Sequence, residues 1–295
     1  MAETVHPTDP HHVVCVGDAL CSRRAGATET LERICRVRLP DRPWKFWHQG
    51  EVGAAADAFR EEAIWRALGL GAGRLLLSLG SAEVASGQPV EKSLESVRAC
   101  MDLLSDLPVA AVKTGALGNG AVAGAVARAL EGWKGFLVVD PVVLPKSGAP
   151  LSDLGDLDGF RPLFARADLL LPNLDEAALL LGRPVGSAEE MPGAADELKE
   201  RFGSEAVLLK GGHLAGPETV DHLRTAEGTW TWRSPRIVSH HTHGTGCALA
   251  SSIAARWALG RPLPVAVEEG REWLRRAIGQ APGLGSGNGP LDLFA

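Results

Sequence analysis

The sequence predicts an α/β fold: a mostly parallel central sheet with helices on both faces. Two observations carry that expectation. Short, uninterrupted apolar runs alternate along the chain with longer amphipathic stretches, the pattern of strands buried on both faces and joined by crossover helices. Several of those runs also end in a polar or glycine-bearing turn, and open α/β sheets gather their ligands beyond the carboxyl ends of the strands.

In chain order, strands are expected at 13–17 (VVCVG), 74–80 (RLLLSLG), 109–115 (VAAVKTG), 136–142 (FLVVDPV), 168–173 (DLLLPN) and 206–212 (AVLLKGG). Each is a run too short for a helix and rich in Val or Leu. Amphipathic spacing predicts helices at 55–68, 91–104, 121–131, 175–181 and 194–202, then a closing pair at 246–259 and 263–280. TWTWRSP at 229–235 alternates instead, which suits a short antiparallel strand beside the main sheet. The Pro/Arg-rich stretch 38–45 is the one candidate linker or long loop. The turns that end strands are Lys113-Thr114-Gly115, Asp140-Pro141, Asn173 and Lys210-Gly211-Gly212, so chemistry is sought there.

Bulk composition narrows the function classes. A chain of 295 residues with 45% hydrophobic content can bury a sizeable core, in one large domain or two small ones. With eight Trp, seven Phe and no Tyr, that core rests on Leu, Val and Ala. A net charge of −6 argues against a nucleic-acid surface, which needs a cationic face. Cys15, Cys21, Cys35, Cys100 and Cys247 are odd in number and form no CxxC, so neither a zinc site nor a disulfide framework is expected. The opening MAETVHPTDPHH lacks a secretory pattern. No apolar run approaches the roughly 18–20 residues that span a bilayer. The expectation is a cytoplasmic protein with no membrane partner.

The strongest local signal is THGTGCALASSIAARWAL, a glycine-rich loop running into a helix of small residues. Gly244 and Gly246 permit a tight turn and remove side chains that would block a ligand. The free N–H groups of the first helical turn then favour an anion, which makes a phosphate cradle. Cys247 falls at that terminus, where the helix dipole favours a thiolate able to accept a proton from a substrate hydroxyl. The alternative is a plain glycine turn with Cys247 an inert core thiol.

THGTGC, VAAVKTGAL, VVDPVVLPKSGAPL, LLLPNLDEAALLLG and AVLLKGGHL, in that register, resemble the hydroxymethylpyrimidine/phosphomethylpyrimidine kinases, the thiamine-synthesis branch of the ribokinase-like superfamily. The resemblance runs from about Ser93 to Phe294. It implies a ribokinase-like fold, ATP and Mg²⁺ as cofactors, a small-molecule pyrimidine substrate and a homodimer. It makes Cys247 the catalytic base, with Gly244, Thr245 and Gly246 donating amides to the transferring phosphoryl. It implies Lys210 and Thr242 for ATP, and Asn173, Glu176 and Asp140 for the metal. Asn173 and Glu176 have a second reading as a helix-capping pair, Lys210 one as a solvated lysine, and Asp140 one as a pin for its turn. Lys113 and Lys146 are read as structural or surface residues. His240, His241 and His243 are spaced poorly for metal ligation. GLGSGNGP at 283–290 matches a family GxGxGP tail, with Asn288 where a histidine is usual.

The first third departs from that pattern, so the expected division is a divergent α/β portion over 1–92 and a ribokinase-like core over 93–295. The resemblance implies Gly17, Gln49 and Val142 for the pyrimidine, but Arg23 and Arg24 stand where the family has glycines. VVCVGDAL, FWHQGEVGAAADAF and LLLSLGSAEVASG also resemble the first blocks of an SGNH/GDSL hydrolase, with Ala19 and Ala82 in place of its Ser and Asn. A hydrolase lacking both nucleophile and oxyanion donor is inert. The expected function is phosphorylation of 4-amino-5-hydroxymethyl-2-methylpyrimidine and of its monophosphate. The alternatives are a pyridoxal/pyridoxine kinase or a catalytically impaired nucleotide-binding relative.

Overall fold

A computed structural model describes the strand backbones 12–17, 45–50 and 74–78, then residues 110–115, 117, 119–142, 157–242, 244–283, 289, 291–292 and 295. The expected helices at 55–68 and 91–104 lie outside the described residues, as do Ala19, Arg23, Arg24, Ala82, Lys146, His243 and Asn288. The chain divides into two compact units, residues 1–108 and 109–295.

The first unit contains a three-stranded parallel sheet. β1 (His12–Gly17) lies between β2 (Lys45–Gly50) and β3 (Arg74–Ser78), with Gly17 in register with Gly50 and Ser78. β2 was not expected as a strand. Its sequence KFWHQG carries too much charge and polarity to register as an apolar run.

The second unit holds a six-stranded sheet in the order β4-β5-β6-β7-β8-β9. β4 (Ala111–Thr114), β5 (Phe136–Val139), β6 (Leu169–Leu170) and β7 (Val207–Lys210) are parallel. β8 (Glu218–Arg224) and β9 (Thr229–Pro235) continue it antiparallel. TWTWRSP is therefore a strand of the main sheet rather than one beside it, because the unexpected β8 links it to β7.

The described helices are α1 (Gly120–Ala129), α2 (Leu157–Arg166), α3 (Leu174–Leu181), α4 (Met191–Phe202), α5 (Thr245–Ala258) and α6 (Leu263–Gly279). α2 was not expected: Gly159 and Pro162 break its propensity, and burial of Phe160, Leu163 and Phe164 overrides them.

One face of the sheet, through Phe136, Val138, Leu169, Leu171, Leu208 and Leu223, packs on Leu249, Ala250 and Ile253 of α5 and Ala266 and Val267 of α6. Small residues along α5 let it lie close to β4 and β5, and Trp257 stacks on Phe136 with ring centroids 4.4 Å apart. Each large side chain so buried contributes about 1.5–3 kcal/mol. This layer fixes where the first turn of α5 arrives: at the carboxyl ends of the parallel strands.

Candidate active site

Four consecutive parallel strands deliver polar residues to one end of the sheet. Lys113 and Thr114 close β4, Asp140 follows β5, Asn173 follows β6 and bridges in parallel to Lys210, and Lys210 closes β7. The register pairs Thr114 with Val139 and Val139 with Leu170, and the isolated bridge pairs Asn173 with Lys210, so Asn173 and Lys210 are level with each other and stand beyond Asp140 along the strand direction.

Asp140 sits at the centre. Its side chain is 1% exposed, and Lys210 Nζ donates to its Oδ1 at 2.7 Å. Lys113 Nζ lies 3.8 Å from Oδ2. That distance is an ion pair and not a hydrogen bond, and Oδ2 is buried with no hydrogen-bond partner among the described residues. Burial of a carboxylate at this depth requires a cation beside it, and the two lysines supply it. Thr114 Oγ1, at the end of β4, is likewise buried without a partner.

Glu176 adds a second carboxylate. Asn173 caps α3: its Oδ1 accepts from Glu176 N at 2.9 Å while Glu176 Oε2 accepts from Asn173 N at 2.7 Å. The same Oε2 lies 4.0 Å from Lys210 Nζ. The capping reading of PNLDE is thus correct in geometry, and the cap also sets a carboxylate beside the charge cluster.

α5 begins against this cluster. Gly244 is its N-cap residue at φ 78°, a left-handed conformation that disfavours any residue with a Cβ. No side chain caps the helix, so the amides of Thr245, Gly246 and Cys247 form an uncapped first turn of the kind that binds anions. A Cβ on Gly246 would stand 3.3 Å from Lys210 Nζ and 3.8 Å from Asp140 Oδ2. The absent side chain is what lets helix terminus, ammonium and carboxylate meet. Cys247, one residue on, is a free and exposed thiol, which rules out the inert core cysteine.

The other expected site residues fall as follows. Lys210 is 12% exposed and paired, not a solvated lysine. Val142 is half-buried and donates its N–H to Asp140 O at 2.8 Å, tightening the turn after β5. Thr242 is half-buried in the loop entering α5. Gly17 and Gln49 are described as strand backbone in the first unit. His240 is exposed and His241 half-buried, and no metal-holding group of three or more His, Cys, Asp or Glu occurs among the described residues.

Lys113 is the residue that the sequence reading set aside, and the structure places it in the cluster. Its signal was its position at a strand end, two residues before a glycine, like Lys210 in the KGG turn.

Comparison with known families matches residues 75–292 to phosphomethylpyrimidine kinase. The chain belongs to that family. Among curated relatives, it is 40% identical over 204 residues to a hydroxymethylpyrimidine/phosphomethylpyrimidine kinase of Streptomyces coelicolor, covering 68% of this chain and 75% of that one. It is 41% identical over 192 residues to the thiamine biosynthesis bifunctional protein ThiED of Geobacter sulfurreducens, covering 64% of this chain and 39% of that protein. The chain thus spans well under half of that bifunctional relative.

Solved structures agree on the fold. A pyridoxal kinase of Bacillus subtilis in an ADP complex is 27% identical with a TM-score of 0.61, covering 67% of this chain and 75% of that one. A phosphomethylpyrimidine kinase of Clostridium difficile is 21% identical with a TM-score of 0.56, covering 90% and 98%. The ribokinase-like α/β expectation is therefore correct. The phosphomethylpyrimidine kinase match begins at residue 75, earlier than the Ser93 at which the motif resemblance starts.

Proposed function

We propose that this protein is an ATP-dependent kinase that phosphorylates the hydroxymethyl group of 4-amino-5-hydroxymethyl-2-methylpyrimidine, and then the resulting monophosphate, in thiamine biosynthesis. The observation that carries the substrate is the 40% identity over 204 residues to a relative named for both steps. The chemistry is supported by the uncapped α5 terminus lying against Lys210 and Asp140.

In this reading the substrate hydroxyl oxygen attacks the γ-phosphorus, the bond to the ADP oxygen breaks, and the hydroxyl proton passes to the Cys247 thiolate. The amides of Gly244, Thr245 and Gly246 hold the charge spread over the phosphoryl oxygens in a loose transition state. Lys210 and Thr242 hold the nucleotide phosphates. By resemblance, Val142 is a pyrimidine-binding candidate within the 93–295 kinase core, and Gly17 and Gln49 are substrate-binding candidates of the 1–92 portion.

The donor set suits Mg²⁺. Asp140 offers a buried oxygen with no hydrogen-bond partner among the described residues, Glu176 a second carboxylate, and Asn173 an amide on the same capped helix terminus as Glu176. One or two carboxylates with retained waters are the usual protein share for this ion, which neutralises developing negative charge when bound. The reading places the protein in the cytoplasm as a homodimer; no described helix is long and apolar enough to cross a membrane.

A second reading, pyridoxal/pyridoxine kinase, is favoured by the 27% identity to the Bacillus subtilis structure, and both substrates are hydroxymethyl heteroaromatics. ATP consumption measured side by side with the pyrimidine, its monophosphate and pyridoxal separates them. Turnover with the pyrimidine and none with pyridoxal is expected. ATP binding with no phosphorylated product on any of the three would leave only the impaired nucleotide-binding relative.

A further inference from the structure

We propose that Lys113 is a positioning residue for nucleotide capture: it holds Asp140 charge-compensated when the Lys210 ammonium turns from Asp140 to the nucleotide phosphates. The inference rests on the kinase reading above and goes further by assigning a role to a residue outside the expected site.

The argument starts from an electrostatic conflict. Lys210 is the cation nearest the α5 terminus, yet its ammonium is already committed to Asp140 Oδ1 at 2.7 Å. A lysine ammonium is a compact point charge on a flexible stem and can swing to a new anion. Until a metal ion is bound, however, its departure would strand a carboxylate that is 1% exposed. Leaving a buried charge unpaired is costly enough to hold Lys210 in place.

Lys113 removes the conflict. Its ammonium approaches the opposite oxygen, Oδ2, at 3.8 Å. That oxygen has no hydrogen-bond donor among the described residues, so a small side-chain rotation converts the ion pair into a direct charge-assisted bond. The side chain already leans that way. It is 17% exposed, and its Nζ lies only 2.9 Å from where a Cβ on Gly115 would stand. Lys113 is thus folded back over a bare glycine toward Asp140 instead of extending into water. Two cations on two oxygens of one carboxylate form a relay in which one leaves while the other remains.

The test is a double-mutant cycle read by calorimetric binding of a non-hydrolysable ATP analogue with Mg²⁺, alongside kcat and KM. Lys113→Met is expected to weaken analogue binding about tenfold and to raise KM for ATP, leaving KM for the pyrimidine unchanged. Lys113→Arg is expected to recover most of that affinity. In an Asp140→Asn background, Lys113→Met is expected to add no further loss, because Lys113 acts through Asp140. The double variant also removes the unpaired charge, so the comparison survives if Lys113→Met alone folds poorly.

Unchanged analogue affinity in folded Lys113→Met overturns the proposal, and so does a full additional loss in the Asp140→Asn background. A wild-type protein that binds the analogue with this Lys113 dependence yet phosphorylates no substrate overturns the kinase reading alone. A wild-type protein that binds no nucleotide overturns both.

Discussion

Two carboxylates in the same sheet, one buried and one half-buried, are treated in opposite ways. Asp221, on β8, has both oxygens occupied: Oδ1 accepts from Gly211 N at 3.0 Å and Oδ2 from Arg271 Nε at 2.6 Å. Asp140, at the end of β5, has one oxygen bonded to Lys210 and the other without a donor among the described residues. A saturated ion pair has nothing left to offer a ligand and serves to join α6 to the turn after β7. An unsaturated one leaves a buried acceptor open, a cost that folding alone does not explain. The difference separates the part of the sheet that holds shape from the part where chemistry is expected. Substitutions at the Asp140 end should therefore change turnover, and those at the Asp221 end should change stability.

The largest effect is expected from Cys247→Ala, which removes the proposed base at an exposed position. Turnover should fall by about 10²–10⁴-fold with the unfolding midpoint unmoved; unchanged turnover would take Cys247 out of the mechanism. Arg271→Ala strands Asp221 and should lower stability by about 3–5 kcal/mol in chemical denaturation. Loss of kcat at intact stability in that variant would erase the contrast between the two carboxylates. Gly246→Ala places a methyl 3.3 Å from Lys210 Nζ and should raise KM for ATP about tenfold by displacing the ammonium.

Asn173→Ala tests a residue that belongs to both roles, and should cost about 1 kcal/mol of stability through loss of the cap. Turnover measured on the folded fraction then tells whether the cap alone was lost. The smallest effect is at His222, which is 3% exposed and bonds Thr231 Oγ1 through Nδ1 at 2.8 Å. Burial pushes its pKa below 6.5, opposed by Asp196 and reinforced by Arg224. The folded state therefore resists protonation more than the unfolded chain does. Its stabilising share is complete above pH 6.5 and is lost as pH falls through the lowered folded value. His222→Gln should flatten the decline in stability across that window, and a profile identical to wild type would remove His222 as its source.

The parallel strands were legible because burial on both faces demands continuous apolar residues, as in FLVV and VLLK. β8 was not legible for the complementary reason. ETVDHLR is partly buried, and its polar residues meet partners: Asp221 meets Arg271, His222 meets Thr231, and Arg224 meets Asp196 at 2.6 Å. Hydrophobic periodicity cannot register a strand whose inward positions are polar groups paired with other side chains. The glycine loop before α5 was readable because its residues are contiguous. The cluster it meets was not, since Lys210 and Asp140 lie 70 positions apart and no local pattern announces their pairing. Lys113 was missed on the same ground: a lysine at a strand end reads as a surface residue until the neighbouring strand supplies its carboxylate.

The gathering of polar groups at the ends of β4, β5, β6 and β7 has a consequence for the life of the chain before it is finished. The polar groups of the cluster come from the ends of four parallel strands and the start of α3, and each of these strands is separated from the next in sequence by at least one helix. A partly folded or truncated polypeptide has the motifs but not their meeting point. Such a chain lacks the assembled site, so the lysine–carboxylate cluster arrives together with the completed architecture.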